Sequence, residues 1–305
     1  VLSTVLVTTA AIILWLQNKV MSRGKYQIIA GKSFHPTELK LGRWRTPLLI
    51  FSCAYIFLTI VVPTVTIFMV GGLKTYGVSF TPENMTWHNY KYILFEWDLT
   101  RDAIWNSISL GLASALITMF CGVIISYVIV KMKVRGKGFL EFLGMLPFSV
   151  PGSVIALGVI LAWSGKLGIN IYNTVWIILV AYIARYMAFS LKANSAALEQ
   201  VHDSLVEAAR ASGASMGQAL RDIVVPLVRP GMVAAFFLIF LPALRELTVS
   251  VLLYGPTTRT IGVAIYTLNE DGETVYSAAL AGIALIIIVT GEVLIKRLVT
   301  GKNAA

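Results

Sequence analysis

Charge, and negative charge above all, is what this chain has least of. Only 13% of its 305 residues are charged, with 15 Asp and Glu against 25 Lys and Arg, for a formal net charge of +10. Beside 57% hydrophobic residues and a mean hydropathy of +0.78, so small a charged fraction excludes a soluble domain that hides its apolar residues behind a polar surface. Cysteine is nearly missing: Cys53 and Cys121 lie inside apolar runs with no metal-ligand spacing around them, which argues against a disulfide framework or a zinc site and leaves two small free hydrophobes. His35, His88 and His202 stand alone on different segments, and no serine or cysteine has an activating base at a recognisable spacing. No catalytic residue, metal site or cofactor of the chain's own is therefore expected. The basic residues come in short runs beside apolar segments, a pattern that sets membrane topology rather than one that binds nucleic acid.

What is abundant is apolar sequence. Residues 1–16 are apolar but short of the roughly 20 needed to span a bilayer, and read as the end of a truncated transmembrane helix. The run begins at Val1 without a charged n-region, so it does not read as a signal peptide but as part of a longer chain. Residues 17–46 form a linker with Lys19, Arg23, Lys25, Lys32, Lys40, Arg43 and Arg45 against the single acid Glu38, and the positive-inside rule makes it cytoplasmic. Gly31, Lys32 and Ser33 imitate the end of a phosphate-binding loop, but Tyr26 stands where that loop needs glycine, and His35 and Pro36 block the helix that should follow.

Six complete spans are expected, at 47–70, 104–130, 139–163, 175–189, 232–254 and 275–294, with Pro63 kinking the first. Lys131, Lys133, Arg135 and Lys137 mark one side; Glu83, Glu96, Asp98, Asp102 and the acids Glu270, Asp271 and Glu273 mark the other. Arg185 and Lys192 are read as the cytoplasmic edge of the fourth span. In the outer loop 74–102, Trp87, Tyr90, Tyr92 and Trp97 fit either a membrane-interface belt or a small core of the loop's own. Pro147 and Pro151 interrupt the third span and strand backbone carbonyls that only protein or a wet cavity can satisfy, so residues 147–152 are expected to face the bundle interior.

One long polar stretch, residues 198–231, divides the apolar segments of the second half. Leu198, Val201, Leu205 and Ala208 recur at helical spacing opposite Glu199, Asp203, Glu207 and Arg210. Gly213 breaks this pattern. Ser215 is then an N-cap for a second stripe of Met216, Leu220, Ile223 and Val224, predicted to stop near Pro226, with Pro230 opening a further helix. The expectation is two short helices about a glycine elbow.

Glu207, Ala208 and Ala209, then Gly213, Ile223 and Pro226 at these spacings closely resemble the EAA loop of inner-membrane permease subunits of ATP-binding-cassette importers; Val225 stands where that family usually has leucine. Two further stretches resemble ferric-iron-type permeases: GKSFHPTELKLGRWR is similar to the linker joining the halves of fused members, and RELTVSVLLYGPTTRTIGVAIYTLNEDGE to a later segment. The resemblance covers residues 31–298. It implies an all-α polytopic membrane protein of type I importer architecture: six complete transmembrane helices plus the partial one, a permease domain at 47–298 with its coupling loop at 198–230, and a cytoplasmic tail at 299–305.

It also implies a bacterial inner-membrane protein whose coupling loop and C-terminus are cytoplasmic. The implied partners are nucleotide-binding ATPase subunits carrying ATP-Mg, a periplasmic substrate-binding protein, a second permease half and the bilayer. Glu207, Ala208, Ala209, Gly213, Ile223 and Pro226 would dock on the ATPase, and ATP binding would favour the outward-open arrangement. Fe(III) is the implied cargo; thiamine, polyamine, sulfate and organophosphonate permeases share every topological feature. A secondary transporter or channel working without ATP would leave the coupling loop unexplained.

Arg245 and Glu246 fall inside the expected fifth span, where ionisable groups normally face the interior or water. With Pro147 and Pro151 they are assigned to the translocation path or the interface with the other half. The competing reading is a structural pair with a neighbouring helix, such as one involving Glu141.

Overall fold

The computed structural model describes Thr9 and residues 41–165 and 168–300, with side chains through residue 293. Apart from Thr9, the partial span at 1–16 lies outside these, as do the phosphate-loop imitation near Lys32 and the last five residues of the tail. The described chain is helical: α1 (Gly42–Gly71), α2 (Asp98–Lys131), α3 (Lys137–Ser149), α4 (Gly152–Trp163), α5 (Val175–Glu199), α6 (Asp203–Ala211), α7 (Met216–Leu244), α8 (Ser250–Leu253), α9 (Ile261–Glu270) and α10 (Thr274–Thr300). α1 already begins at Gly42, so the end of the basic linker is its first turn.

Among the described residues, five helices are long and apolar enough to cross a membrane, or six if α3 and α4, bent by 113° at their junction, count as one broken span. The third expected span is thus not a straight helix. Pro147 is accommodated within α3, and the chain turns at Val150 and Pro151.

Two other prolines fail to end their helices, by the same means. A π-turn at Phe57–Val61 precedes Pro63, and another at Leu220–Val224 precedes Pro226; in each, the residue just before proline donates its N–H five residues back, Val62 to Phe57 and Val225 to Leu220. Widening the turn relieves the clash between the proline ring and the carbonyl four residues earlier, so the helix runs on. The expected stop at Pro226 and new start at Pro230 are therefore replaced by one 29-residue helix, α7.

Lateral packing places small side chains inside and large ones outside. α2 buries Ala103, Ser107, Gly111, Ser114, Ala115, Thr118, Gly122 and Ser126, while Trp105, Phe120 and Ile124 are exposed. Lipid tails are as apolar as leucine, so helices associate in a bilayer by close backbone approach and interhelical hydrogen bonds; Ser126 Oγ donates to Leu191 O of α5 at 3.2 Å. A central cluster joins Leu110, Ala156, Ile178, Tyr182 and Ile239 of α2, α4, α5 and α7 with Val249, just before α8. The acidic end holds Ile93, Ala103, Ile261, Leu268 and Leu280. Leu198, Val201, Val224 and Val228 form the core of the other end.

The loop at 74–102 forms neither a separate core nor a belt in the main: it packs on the acidic end of the bundle, in one cluster with α2, α9 and α10. Tyr90 donates to Phe68 O at 2.8 Å and Asn89 to Gly71 O and Leu73 O, closing the carbonyl end of α1. Tyr92 lies 5.0 Å from Tyr276, ring to ring, and Trp97 packs on the acidic-end cluster. Trp87 alone is 82% exposed.

Candidate coupling surface and buried ion pair

The polar stretch folds as a helical hairpin at the basic end, though with a different division from the one its periodicity implied. Leu198 and Val201 belong to the buried end of the α5 span and the turn after it, so the first hairpin helix is only α6, nine residues long with no fully buried residue. Val206 anchors it to the basic-end cluster. Leu205, Glu207, Ala208 and Arg210 face outward, and Ala209 is half-buried. Among the described residues, Glu207 makes no side-chain hydrogen bond or ion pair, not even with Arg210 one turn on.

The elbow is fixed by backbone geometry. Ala214 N–H donates to Ala209 O and Gly213 N–H to Arg210 O, the two bonds of a Schellman ending, and Gly213 sits at φ +93°, where a side chain is strained. Ser215 then caps α7 in a reciprocal box with Gln218, Ser215 N to Gln218 Oε1 at 2.8 Å and Gln218 N to Ser215 Oγ at 3.3 Å. Ile223 is half-buried in the π-turn and Pro226 exposed just beyond it.

A lysine whose sequence position marked only the side of the membrane holds the hairpin's root. Lys131 Nζ, at the end of α2 and with its side chain only 15% exposed, donates to Val201 O and lies 2.7 Å from Asp203 Oδ1 at the start of α6. That hydrogen bond and charge hold the Asp203 carboxyl below the usual carboxylate range. A depressed folded-state pKa gives a contribution fully present above the unfolded value and lost as pH falls through the folded one. Hydrogen-exchange protection of α6 is accordingly expected to be flat from neutral pH to about 5 and to decline only below about 4; a decline beginning near pH 6 would refute this assignment.

The second site lies inside the bundle. Arg245 and Glu246 are not in a helix: α7 ends at Leu244, and the two side chains diverge, Arg245 exposed and Glu246 8% exposed. Glu246 pairs with Arg185, not Arg245 with Glu141. Arg185 Nε is 3.4 Å from Glu246 Oε2, whereas Glu141 faces Lys192 at 3.9 Å.

Three further donors complete the carboxylate's shell: Tyr186 Oη at 2.7 Å, Thr248 Oγ1 at 2.6 Å and Val249 N at 3.0 Å. By taking the Val249 N–H, Glu246 stabilises the turn that leads into α8. Its own carbonyl accepts from Ser250 Oγ at 2.6 Å and Tyr182 Oη at 3.5 Å.

Arg185 is not at the edge of a span, as its sequence position implied, but about 15 Å along a 25-residue helix. An arginine ten residues into an apolar run was the signal; it reads as an edge only if the helix is stopped near Phe189 instead of Glu199. Of the interior candidates, Glu246 and the Pro151 bend come together, through Thr248 and Gly152. Arg245 does not join them.

The pattern of the family described as "Binding-protein-dependent transport system inner membrane component" matches residues 118–302. PhnV of Salmonella paratyphi A, named as a 2-aminoethylphosphonate transport system permease protein, is 31% identical over 202 residues, 65% of this chain and 76% of its own length. The ferric transport system permease protein FbpB of Actinobacillus pleuropneumoniae is 33% identical over 219 residues, 70% of this chain but 31% of its own. Among solved structures, a bacterial alginate transporter bound to its periplasmic protein aligns with TM-score 0.63 at 19% identity, covering 83% of this chain and 94% of that one. The MetNI methionine transporter in an inward-facing form aligns with TM-score 0.56 at 18% identity, covering 68% and 96%. These last two show a shared fold.

Proposed function

Because this chain belongs to the family of binding-protein-dependent transport system inner membrane components, we propose that it is the permease of an ATP-driven importer whose α6 and first turns of α7 receive the motion of a separate ATPase. It is a multi-pass transport component of the inner membrane and not an enzyme. The observation that carries the coupling role is the exposed α6, with Glu207 unpaired and small Ala208 beside it, held at a set angle by the Gly213 elbow and the Lys131 clamp. Such a knob fits a groove on the ATPase, where Glu207 meets a basic or amide partner. ATP-Mg resides on that partner, its closure favours the outward-open arrangement, and hydrolysis restores the inward-open one; coupling requires contacts that differ between the two states.

Sidedness follows from charge: Lys131, Lys133, Arg135 and Lys137 lie at the hairpin's end and the acids of 270–273 at the other, which makes the hairpin and the C-terminus cytoplasmic. The opposite end receives a periplasmic binding protein. A second bundle completes the path; the similarity to roughly a third of FbpB supports a natural partner half.

The cargo is Fe(III), supported by the FbpB likeness and the segment from Arg245 onward, with an organophosphonate as the second reading, supported by PhnV.

The test is the ATPase rate of the full permease with its ATPase in liposomes, for the parent, Glu207→Ala and Gly213→Pro. Binding protein is added empty, with Fe(III) or with 2-aminoethylphosphonate. Stimulation of the parent by one loaded form, lost in both variants, is the expected result and names the cargo. Variants that match the parent would reduce the hairpin to a connector.

A further inference from the structure

Two interruptions of helix and a buried arginine meet inside the bundle. α7 ends at Leu244, α3 and α4 bend by 113° beside Gly152, and α5 brings Arg185 between them. The approach is close: a Cβ on Gly152 would collide with Thr248 Oγ1 and stand 2.9 Å from Arg185 Nη1. Broken helices and ionisable groups are both costly at membrane depth, and their coincidence marks a working part.

The connectivity tells what kind of part. The hairpin hangs from two of these elements, α5 and α7: α5 runs through residues 200–202 into α6, and α7 begins straight after the elbow. Near the hairpin the two are clamped by Leu198, Val201, Val224 and Val228. Further along, at the middle of α5 and just past the end of α7, they are joined again by Glu246, whose carboxylate takes Arg185 Nε and Tyr186 Oη from α5 and Thr248 Oγ1 and Val249 N from the segment after α7. Apolar contact alone would let two helices slide in lipid, since burial drives them together no more than lipid does. An ion pair with directional hydrogen bonds on both oxygens resists sliding.

We infer that Arg185 and Glu246 are positioning residues for transport: they fasten the middle of α5 to the end of α7, to the segment at 245–260 and to the Gly152 bend, so that a displacement of α6 reaches the opposite end of the membrane. This rests on the coupling role proposed for α6. Neither residue touches the ATPase or needs to touch cargo. That segment does reach the far end, where Asn106 Nδ2 donates to Thr257 O at 3.0 Å and Arg259 O at 2.9 Å, and Gly255 lies against Asn173.

The experiment uses the assembled permease–ATPase complex in proteoliposomes, with Cys53 and Cys121 changed to serine and a single reporter cysteine at either of two exposed positions: Leu205→Cys on α6 or Thr257→Cys at the far end. Maleimide labelling rates are compared without nucleotide and after vanadate trapping with ATP-Mg. In the parent both reporters should respond, Thr257→Cys by at least about fivefold, the lower bound of ordinary coupling. Arg185→Gln, and the doubly neutral Arg185→Gln with Glu246→Gln, should keep the Leu205 response and basal ATP hydrolysis but lose the Thr257 response; Arg185→Lys, which keeps the charge, should recover part of it.

If the variants retain the Thr257 response, the inference fails while the coupling role stands. A parent whose Leu205 reporter ignores nucleotide overturns the coupling role and the inference with it. Should Arg185→Gln abolish assembly, the double variant, which leaves no unpaired charge, decides: assembly with a normal Thr257 response, or no assembly at all, assigns the pair a purely structural role.

Discussion

Replacing Glu246 by alanine is expected to destabilise the folded bundle by about 3–5 kcal/mol, the usual consequence of removing one partner from a buried ion pair. Arg185 is only 23% exposed and would lose its one carboxylate partner among the described residues, while the Val249 amide, Tyr186 Oη and Thr248 Oγ1 would each lose an acceptor. Unsatisfied donors in a medium without water are costly, and the turn into α8 would lose its local cap. Glu246→Gln retains a carbonyl acceptor in the same place and should cost distinctly less. Thermal unfolding in detergent, followed by the loss of the monodisperse peak in size-exclusion chromatography, ranks the two. Equal midpoints for Glu246→Ala and Glu246→Gln would show that the carboxylate holds nothing together.

The second large effect belongs to Tyr182, the largest fully buried side chain among the described residues, which packs in the central cluster and makes an edge-on contact with Tyr186 at 6.0 Å between ring centroids. Tyr182→Ala should cost about 3–5 kcal/mol, because the backbones of α2, α5 and α7 are already as close as their small residues allow and cannot collapse into the void. Tyr182→Phe should be nearly silent: its hydroxyl is 3.5 Å from Glu246 O, and Ser250 Oγ already serves that carbonyl at 2.6 Å. The same unfolding assay separates shape from hydrogen bonding here. A Phe variant as unstable as the Ala variant would reverse the ranking.

The hairpin was readable because its signals are local. A capping serine, a glycine at the elbow and a carboxylate beside two small alanines each depend on neighbours within one or two turns. Glu246 was also visible as an acid inside an apolar run. Its partner was not, because periodicity in a bilayer says only that a stretch is apolar, and Arg185 was read as a boundary.

The prolines misled for a related reason. A rule learned from regular helices predicts a stop at Pro226, whereas a π-turn one residue earlier removes the steric conflict and lets α7 continue to Leu244. The true break, after Leu244, follows a proline that does not itself end the helix; there a carboxylate offers the backbone an acceptor.

Sequence alone determined the membrane setting, the order of the described apolar segments to within the bent α3–α4 pair, the elbow and the family, since these depend on composition and on spacings of a few residues. Only tertiary structure decided that Arg185 meets Glu246, that Lys131 clamps α6, and that small faces turn inward. Those outcomes join residues some 60 to 70 positions apart. They depend on how closely two backbones approach, which no pattern along one helix records.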